Sequence, residues 1–306
     1  MSNLAALMAE AGMNLPVTAW VDEWRKAGKH ITDEAVDTIL AVMASDLKSG
    51  RRSDGSKRFR PSMIGNPCPR AQVFSYYGAK QEPRVEAWDE MADAGSWLHY
   101  KWQMEGLSAG WLTDVEVQID LPDWYLRGSV DGRNKDGSVL EIKTVGTDRW
   151  KGFRGDKAIA DWTEPKPEHI RQCHPYMLAT GADAVSLVYV NRDSNAFREF
   201  RVALNGDIMH EMSQMITDMI HHVDKGTLPE VLPGCWRIFD GDILEDCTKQ
   251  EVAKWKKQVD YCNFSTVCQE AEMKRRGTVK AYNGLGQSLQ MATAGAEKAL
   301  KEVSEA

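Results

Sequence analysis

Between two short apolar-rich runs, residues 125–131 and 139–144, the chain carries Asn134-Lys135-Asp136-Gly137. Residues of these types turn a chain tightly: Gly accepts a positive φ without a Cβ clash, and Asn and Asp bond their own backbone. Two strands joined by such a turn pair antiparallel, so the spacing predicts Asp131 and Glu141 on neighbouring strands. Side chains alternate along a strand, which places Val139, Glu141 and Lys143 on one face and Leu140 and Ile142 on the other. A strand this apolar reads as central, and charged side chains in a central strand need a partner or a function.

The elements around this hairpin follow from period and punctuation. Residues 1 to about 50 read as helical, with Val36, Ile39, Leu40, Met43 and Leu47 at helical spacing after Thr32 and Gly50 as a stop. Residues 51–61 read as a polar, basic loop, followed by a short helix from Pro69 and a longer one over 84–106. Val115, Val117 and Ile119 alternate with polar residues, as in a half-buried strand. The pattern then predicts a helix over 167–180 ended by Gly181 and a hairpin of 184–191 with 197–204. An amphipathic helix over 207–225 carries Met212, Met215, Ile216, Met219, Ile220 and Val223 on one face. The expected fold is α/β, a mixed central β-sheet flanked by helices. The expected organisation is a helical N-terminal arm (1–60), a core (61–230), a Cys-bearing C-terminal segment (231–286) and a helical or disordered tail (287–306).

No apolar run reaches the roughly 18 residues a membrane helix needs, and the N-terminal MSNLAALMAEAG has no basic start or long apolar stretch. The expectation is a cytoplasmic protein of a bacterial or phage-infected cell. There the six cysteines are metal ligands, buried fillers or redox groups sooner than disulfides. The net charge of −7 argues against a general nucleic-acid coat, yet it leaves room for a local basic groove. Two basic stretches stand out. One holds Lys48, Arg51, Arg52, Lys57, Arg58 and Arg60; the other interleaves Arg149, Lys151, Arg154 and Lys157 with Trp150 and Phe153. Cations meet phosphates while rings stack on unpaired bases, so Arg149, Trp150, Lys151 and Arg154 are the candidate DNA-binding residues.

Two carboxylates on adjacent strands can converge on a hard divalent cation such as Mg²⁺, and an ammonium two residues beyond one of them can stabilise a phosphate under attack. Around Gly128-Ser129-Val130-Asp131 and Glu141-Ile142-Lys143 stand two further segments in order, Gly95-Ser96-Trp97-Leu98-His99 before and Gln172-Cys173-His174-Pro175-Tyr176 after. The ordered set resembles the PD-(D/E)XK nucleases of the RecB, AddB and CRISPR-associated exonuclease type, over roughly residues 60–270. The resemblance implies that His99, Asp131, Glu141 and the carbonyl of Ile142 hold Mg²⁺ or Mn²⁺. Lys143 would assist catalysis, and Gln172 and Tyr176 would line the groove and steady the DNA backbone or Lys143. His174 reads as structural.

A subset of that family brackets its core with cysteines holding a [4Fe-4S] cluster, one ligand before the core and three after. Cys68, in Ile64-Gly65-Asn66-Pro67-Cys68-Pro69-Arg70, resembles the leading ligand; Cys262 and Cys268 resemble trailing ones. Where many relatives have another cysteine, this chain has Val259, so the remaining ligand is Cys235 or Cys247. Cys235 is favoured because Pro233-Gly234 reads as a loop that wraps a cluster; zinc on the same ligands is the alternative. Cys173 reads as a core filler. The implied activity is that of a DNA exonuclease in recombination, repair or end processing, similar to bacteriophage exonucleases that work with a single-strand annealing or single-strand binding protein. Ring-forming relatives raise the option of a homo-oligomer. The alternatives are an endonuclease of the same fold and a non-catalytic DNA-binding protein.

Overall fold

The computed structural model describes residues 15–49, 57–65, 68–83, 86–152, 157–240, 247–260 and 262–276. The expected tail over 287–306, Gly50, Arg51, Arg52, Phe153 and Arg154 lie outside them. The chain divides into two units, one within residues 1–56, 60–65 and 85–212, the other within 57–59, 66–84 and 213–306.

The first unit is the expected α/β arrangement. Its strands are β1 (Leu112–Leu121), β2 (Leu126–Asn134), β3 (Val139–Val145), β4 (Ala184–Asn191) and β5 (Phe197–Ala203), in the order β1-β2-β3-β4-β5. Only β3 and β4 are parallel; the other neighbours are antiparallel. A parallel pair needs a crossover, and the helices α6 (Thr147–Trp150) and α7 (Pro167–Thr180) lie within it. Every residue of β4 is buried, which accounts for its near-continuous apolar sequence. α7 ends where Gly181 takes φ +69, a left-handed conformation that costs glycine little.

The described residues of this unit also form α1 (Pro16–Lys26), α2 (Asp33–Ser49), the short α3 (Pro61–Ile64) and α5 (Glu86–Ser108), with α4 (Pro69–Tyr76) of the other unit between the last two in sequence. The described residues of the expected helical N-terminal stretch form two helices, broken where Gly28 takes φ +93. Val17 and Val21 of α1, Trp102 of α5, and Leu140, Ile142, Val188 and Val190 of the sheet share one buried cluster. Glu199 of β5 fastens the start of α1: its carboxylate accepts from the Val17 and Thr18 N–H groups and the Thr18 hydroxyl at 3.3, 2.7 and 2.9 Å. A carboxylate there satisfies N–H groups that a helix leaves without internal partners. The apolar stripe of α2 is narrower than its sequence suggests. Ala35 and Ile39 are buried where α2 packs on α5, whereas Leu40 and Leu47 are 54% and 73% exposed.

The amphipathic helix α8 (Gly206–Lys225) buries Met212, Ile216, Met219 and Val223, as its period predicts. The second unit continues with α9 (Pro233–Asp240), α10 (Lys249–Asp260) and α11 (Ser265–Arg276). At its centre the buried Arg70 of α4 meets the buried Glu272 of α11 at 2.8 Å and the Pro229 carbonyl at 3.2 Å. Arg275 and Arg276 also reach Glu272, and together the guanidinium groups hold its carboxyl down to about 2. No helix among the described residues is long and apolar enough to cross a membrane.

Candidate functional site

The β2–β3 hairpin does what its turn predicts. Gly132 pairs with Leu140 and Arg133 with Val139, which sets Asp131 beside the next residues of β3. The Ile142 N–H donates to Asp131 Oδ2 at 2.5 Å. Alternation then sorts β3: Leu140 and Ile142 enter the apolar cluster, while Glu141 and Lys143 leave the strand together. Lys143 Nζ lies 2.6 Å from Glu141 Oε1 and donates to Gln172 Oε1 at 2.7 Å. Gln172 Nε2 in turn donates to Glu141 Oε1 at 2.8 Å and approaches the Tyr176 hydroxyl at 2.6 Å. Gln172 and Tyr176 lie one helical turn apart on α7, and both are buried. Gln172 thus bonds both Glu141 and Lys143, and Tyr176 bonds Gln172.

α5 delivers His99 to the other side of Asp131, Nδ1 3.3 Å from Oδ1. Two glycines permit these approaches. A Cβ on Gly95 would lie 2.9 Å from Thr144 Oγ1, so only glycine lets α5 run this close to β3. A Cβ on Gly128 would lie 2.8 Å from Pro61 Cδ, where α3 closes over β2. The side chains of Glu141, Asp131, Lys143 and His99 are 6%, 14%, 20% and 27% exposed, so the network is closed at Glu141 and most open at His99.

The charges shape one another. Burial alone would lower the Lys143 pKa, but Glu141 and Asp131 outweigh it and the ammonium keeps its proton. Burial pushes the Asp131 carboxyl up; His99, the Ile142 N–H and Lys143 pull it below its ordinary value. Glu141 is raised, first by burial and then by Asp131, against the pull of Lys143. His99 is raised because Asp131 and Glu141 overcome its burial. Cys173 is wholly buried and its thiol is held far above its usual range by burial and by Glu141, as suits a filler. His174 is buried, with Nδ1 2.8 Å from the Ile170 carbonyl and Nε2 accepting from the Asn205 N–H at 3.2 Å, which fits its structural reading.

Of the candidate DNA-binding residues, Arg149 and Lys151 are exposed and Trp150 is half-buried on and after α6, directly beyond β3. Arg149, Lys143 and Lys166 all act on His169; burial first and these three charges next lower it to about 3. His169 Nδ1 sits 2.6 Å from the hydroxyl of the buried Tyr189, the β4 partner of Lys143. In the other basic stretch Lys48, Lys57, Arg58 and Arg60 are exposed.

Sequence reading missed Glu116 of β1. Its Oε1 accepts from Gln103 Nε2 and its Oε2 from Ser129 Oγ, both at 2.8 Å. Burial and then the nearby Asp131 raise its carboxyl to about 7. The alternation that marked Val115 and Val117 as inward assigned Glu116 to the polar face, and nothing in the sequence pairs it with β2.

Cys68, Cys235, Cys247, Cys262 and Cys268 belong to the second unit. Cys68 precedes α4, Cys235 lies in α9, Cys262 just before α11 and Cys268 within it. Burial raises all four thiols, and Cys235 and Cys268 are raised further by Cys68 and Cys262. Cys247 instead accepts from Arg237 at 2.6 Å. The loop expected around Pro233-Gly234 is the start of α9, since proline needs no N–H at a helix start. Its glycine serves packing: a Cβ on Gly234 would lie 2.2 Å from the Trp255 ring.

The donor chemistry fits both expected groups: imidazole and carboxylates for a hard cation, thiols for iron or zinc. The donors of the first site bond one another, and among the described residues no three His, Cys, Asp or Glu side chains are spaced as a metal-ligand set.

No family model and no curated protein matches the chain. Among solved structures it is similar to the alkaline exonuclease LHK-Exo from Laribacter hongkongensis, at 16% identity and a TM-score of 0.41, over 56% of this chain and 89% of that one. It is similar to the same protein in complex with dAMP, at 18% identity and a TM-score of 0.43 over the same shares. The structure titled SSO0001 matches at 17% identity and a TM-score of 0.39, over 77% of this chain and 94% of that one.

Proposed function

We propose that this chain is a metal-dependent DNA nuclease acting as an exonuclease, with its centre at His99, Asp131, Glu141 and Lys143. The observation that carries the reading is the bonded set Asp131–Ile142, Glu141–Lys143–Gln172 and His99–Asp131, in which residues from α5, β2, β3 and α7 meet around one point. Buried charges at this density are costly and are retained where they do chemistry. His99, Asp131, Glu141 and the carbonyl of Ile142 would hold Mg²⁺ or Mn²⁺. Such a cation supplies positive charge to a phosphodiester and acidifies water at neutral pH. Lys143 keeps its proton and therefore serves as a cation toward the phosphate oxygens, and Gln172 fixes its reach. Arg149, Trp150 and Lys151, with Arg154, would hold the strand entering beside β3.

We infer further that Cys68, Cys235, Cys262 and Cys268 hold an iron–sulfur cluster. Support comes from the burial of Cys235 and Cys268 and from the influence of Cys68 and Cys262 on both thiols, whereas Cys247 of the same unit pairs with Arg237. Protein purified without oxygen should be brown and contain iron, and Cys268→Ser should lose both; a colourless protein carrying zinc would replace iron by zinc.

The test of the main reading is cleavage of linear and covalently closed circular DNA, each with Mg²⁺, Mn²⁺ or EDTA, beside Asp131→Asn. Metal-dependent loss of the linear form alone, absent in the variant, is the expected result. Nicking of the circle would make the chain an endonuclease, and DNA binding without cleavage of either form would overturn the enzymatic reading.

A further inference from the structure

Glu116 stands at φ +46, in the left-handed region, although its neighbours Val115 and Val117 keep regular partners in Gly132 and Val130. A glutamate in that conformation stores strain that a glycine would not, and such strain persists only where the surroundings hold it in place. The surroundings here are specific. Gln103 is wholly buried, and its one Nε2 donates both to Glu116 Oε1 and to the main-chain carbonyl of Asp131, each at 2.8 Å. Gln103 lies one turn beyond His99 on α5. Ser129, which donates to the other oxygen of Glu116, shares a strand face with Asp131 on β2. Each of these hydrogen-bond donors therefore sits on an element that also carries a proposed metal-holding residue. Among the described residues Gln103 Oε1 has no partner, and the amide is oriented there by its two acceptors, Glu116 and Asp131.

We propose that Glu116 is a positioning residue of the metal centre. Through Gln103 and Ser129 it fixes the backbone of Asp131 against the helix that carries His99. In its ionised form its charge adds to those of Asp131 and Glu141 in drawing in a divalent cation. The inference rests on the reading of that centre as a metal site.

The test is Mn²⁺ binding by calorimetry to the full-length protein and to Glu116→Gln, Glu116→Gly and Asp131→Asn. Metal-free thermal unfolding and steady-state cleavage of linear DNA are measured on the same samples. Glu116→Gln keeps the shape and removes the charge. It should bind Mn²⁺ about 10- to 100-fold more weakly, the scale seen when outer partners of metal ligands are changed. Its melting temperature and its KM for DNA should hold while kcat falls. Glu116→Gly should melt at or above the wild-type temperature and also bind Mn²⁺ weakly. Wild-type Mn²⁺ affinity in Glu116→Gln, with or without a lower melting temperature, would overturn the inference while leaving the centre itself intact. Binding that survives equally in Asp131→Asn, or no binding by the wild type, would overturn both.

Discussion

Replacing Gly95 by alanine puts a methyl group where α5 crosses β3. The new Cβ would lie 2.9 Å from Thr144 Oγ1 and 3.9 Å from Thr144 Cβ. The second distance is ordinary contact; the first is too short by about 0.5 Å. Thr144 is β-branched and stiff about χ1, so the helix must yield. Gly95 lies one turn before His99, and Thr144 follows Lys143, so the shift separates His99 from Glu141 and Lys143. Overpacking costs about 1–3 kcal/mol, against which alanine in a helix gains up to about 1 kcal/mol over glycine. The net expectation is a loss of about 0–2 kcal/mol. An error of about 1 Å in a catalytic group costs on the order of 100-fold, so half of that costs roughly tenfold in kcat. Thr144→Ala removes the offending oxygen and leaves only the 3.9 Å contact. The assay is a double-mutant cycle of thermal unfolding and DNA cleavage. A coupling of about 1–2 kcal/mol, with the double variant recovering activity, is expected. A Gly95→Ala protein as active as the wild type, or a double variant no better than it, would refute the argument.

Other perturbations follow from the same geometry. Lys143→Ala should abolish cleavage while DNA binding survives in a gel-shift assay, because the ammonium is bonded to Glu141 and Gln172 and not to a structural partner elsewhere; normal turnover would dismiss the site. Glu272→Gln leaves the buried Arg70 guanidinium without a counter-charge, and breaking a buried pair costs about 3–5 kcal/mol, read as a lower denaturation midpoint. The same carboxyl is held at about 2 against its ordinary 4.5, so its contribution is complete above pH 4.5 and is lost as pH falls toward 2. Wild-type stability should decline over that window with a steeper slope than Glu272→Gln; equal slopes would contradict the ion-pair account. Gly234→Ala should destabilise the helices around Cys235, since the methyl would have to displace the Trp255 ring from 2.2 Å, and proteolysis of residues 233–260 would report it.

Much of the centre is local in sequence and was legible there. The turn Asn134–Gly137 and the alternation of β3 are enough to bring Asp131 to Glu141 and to send Lys143 out beside Glu141, because strand pairing across a short turn admits few registers. Gly181 and the apolar period of α8 fixed two helices in the same way. Glu116 was not legible, since its partners Gln103 and Ser129 come from a helix and a strand whose packing no period encodes. Nor were the exposure of Leu40 and Leu47 or the helical start at Pro233, where how much of a face is covered depends on which neighbour arrives.

The sequence by itself determined the hairpin, the helix and strand periods and the identity of the charged groups, because each depends on residues close in the chain. Only the tertiary structure decided that α5 comes close enough to β3 for Gly95 to be required. It also decided that Gln172 bonds Lys143 instead of facing solvent. Those outcomes depend on packing between distant segments, where burial and the fields of neighbouring charges act through space and leave no spacing in the sequence to read.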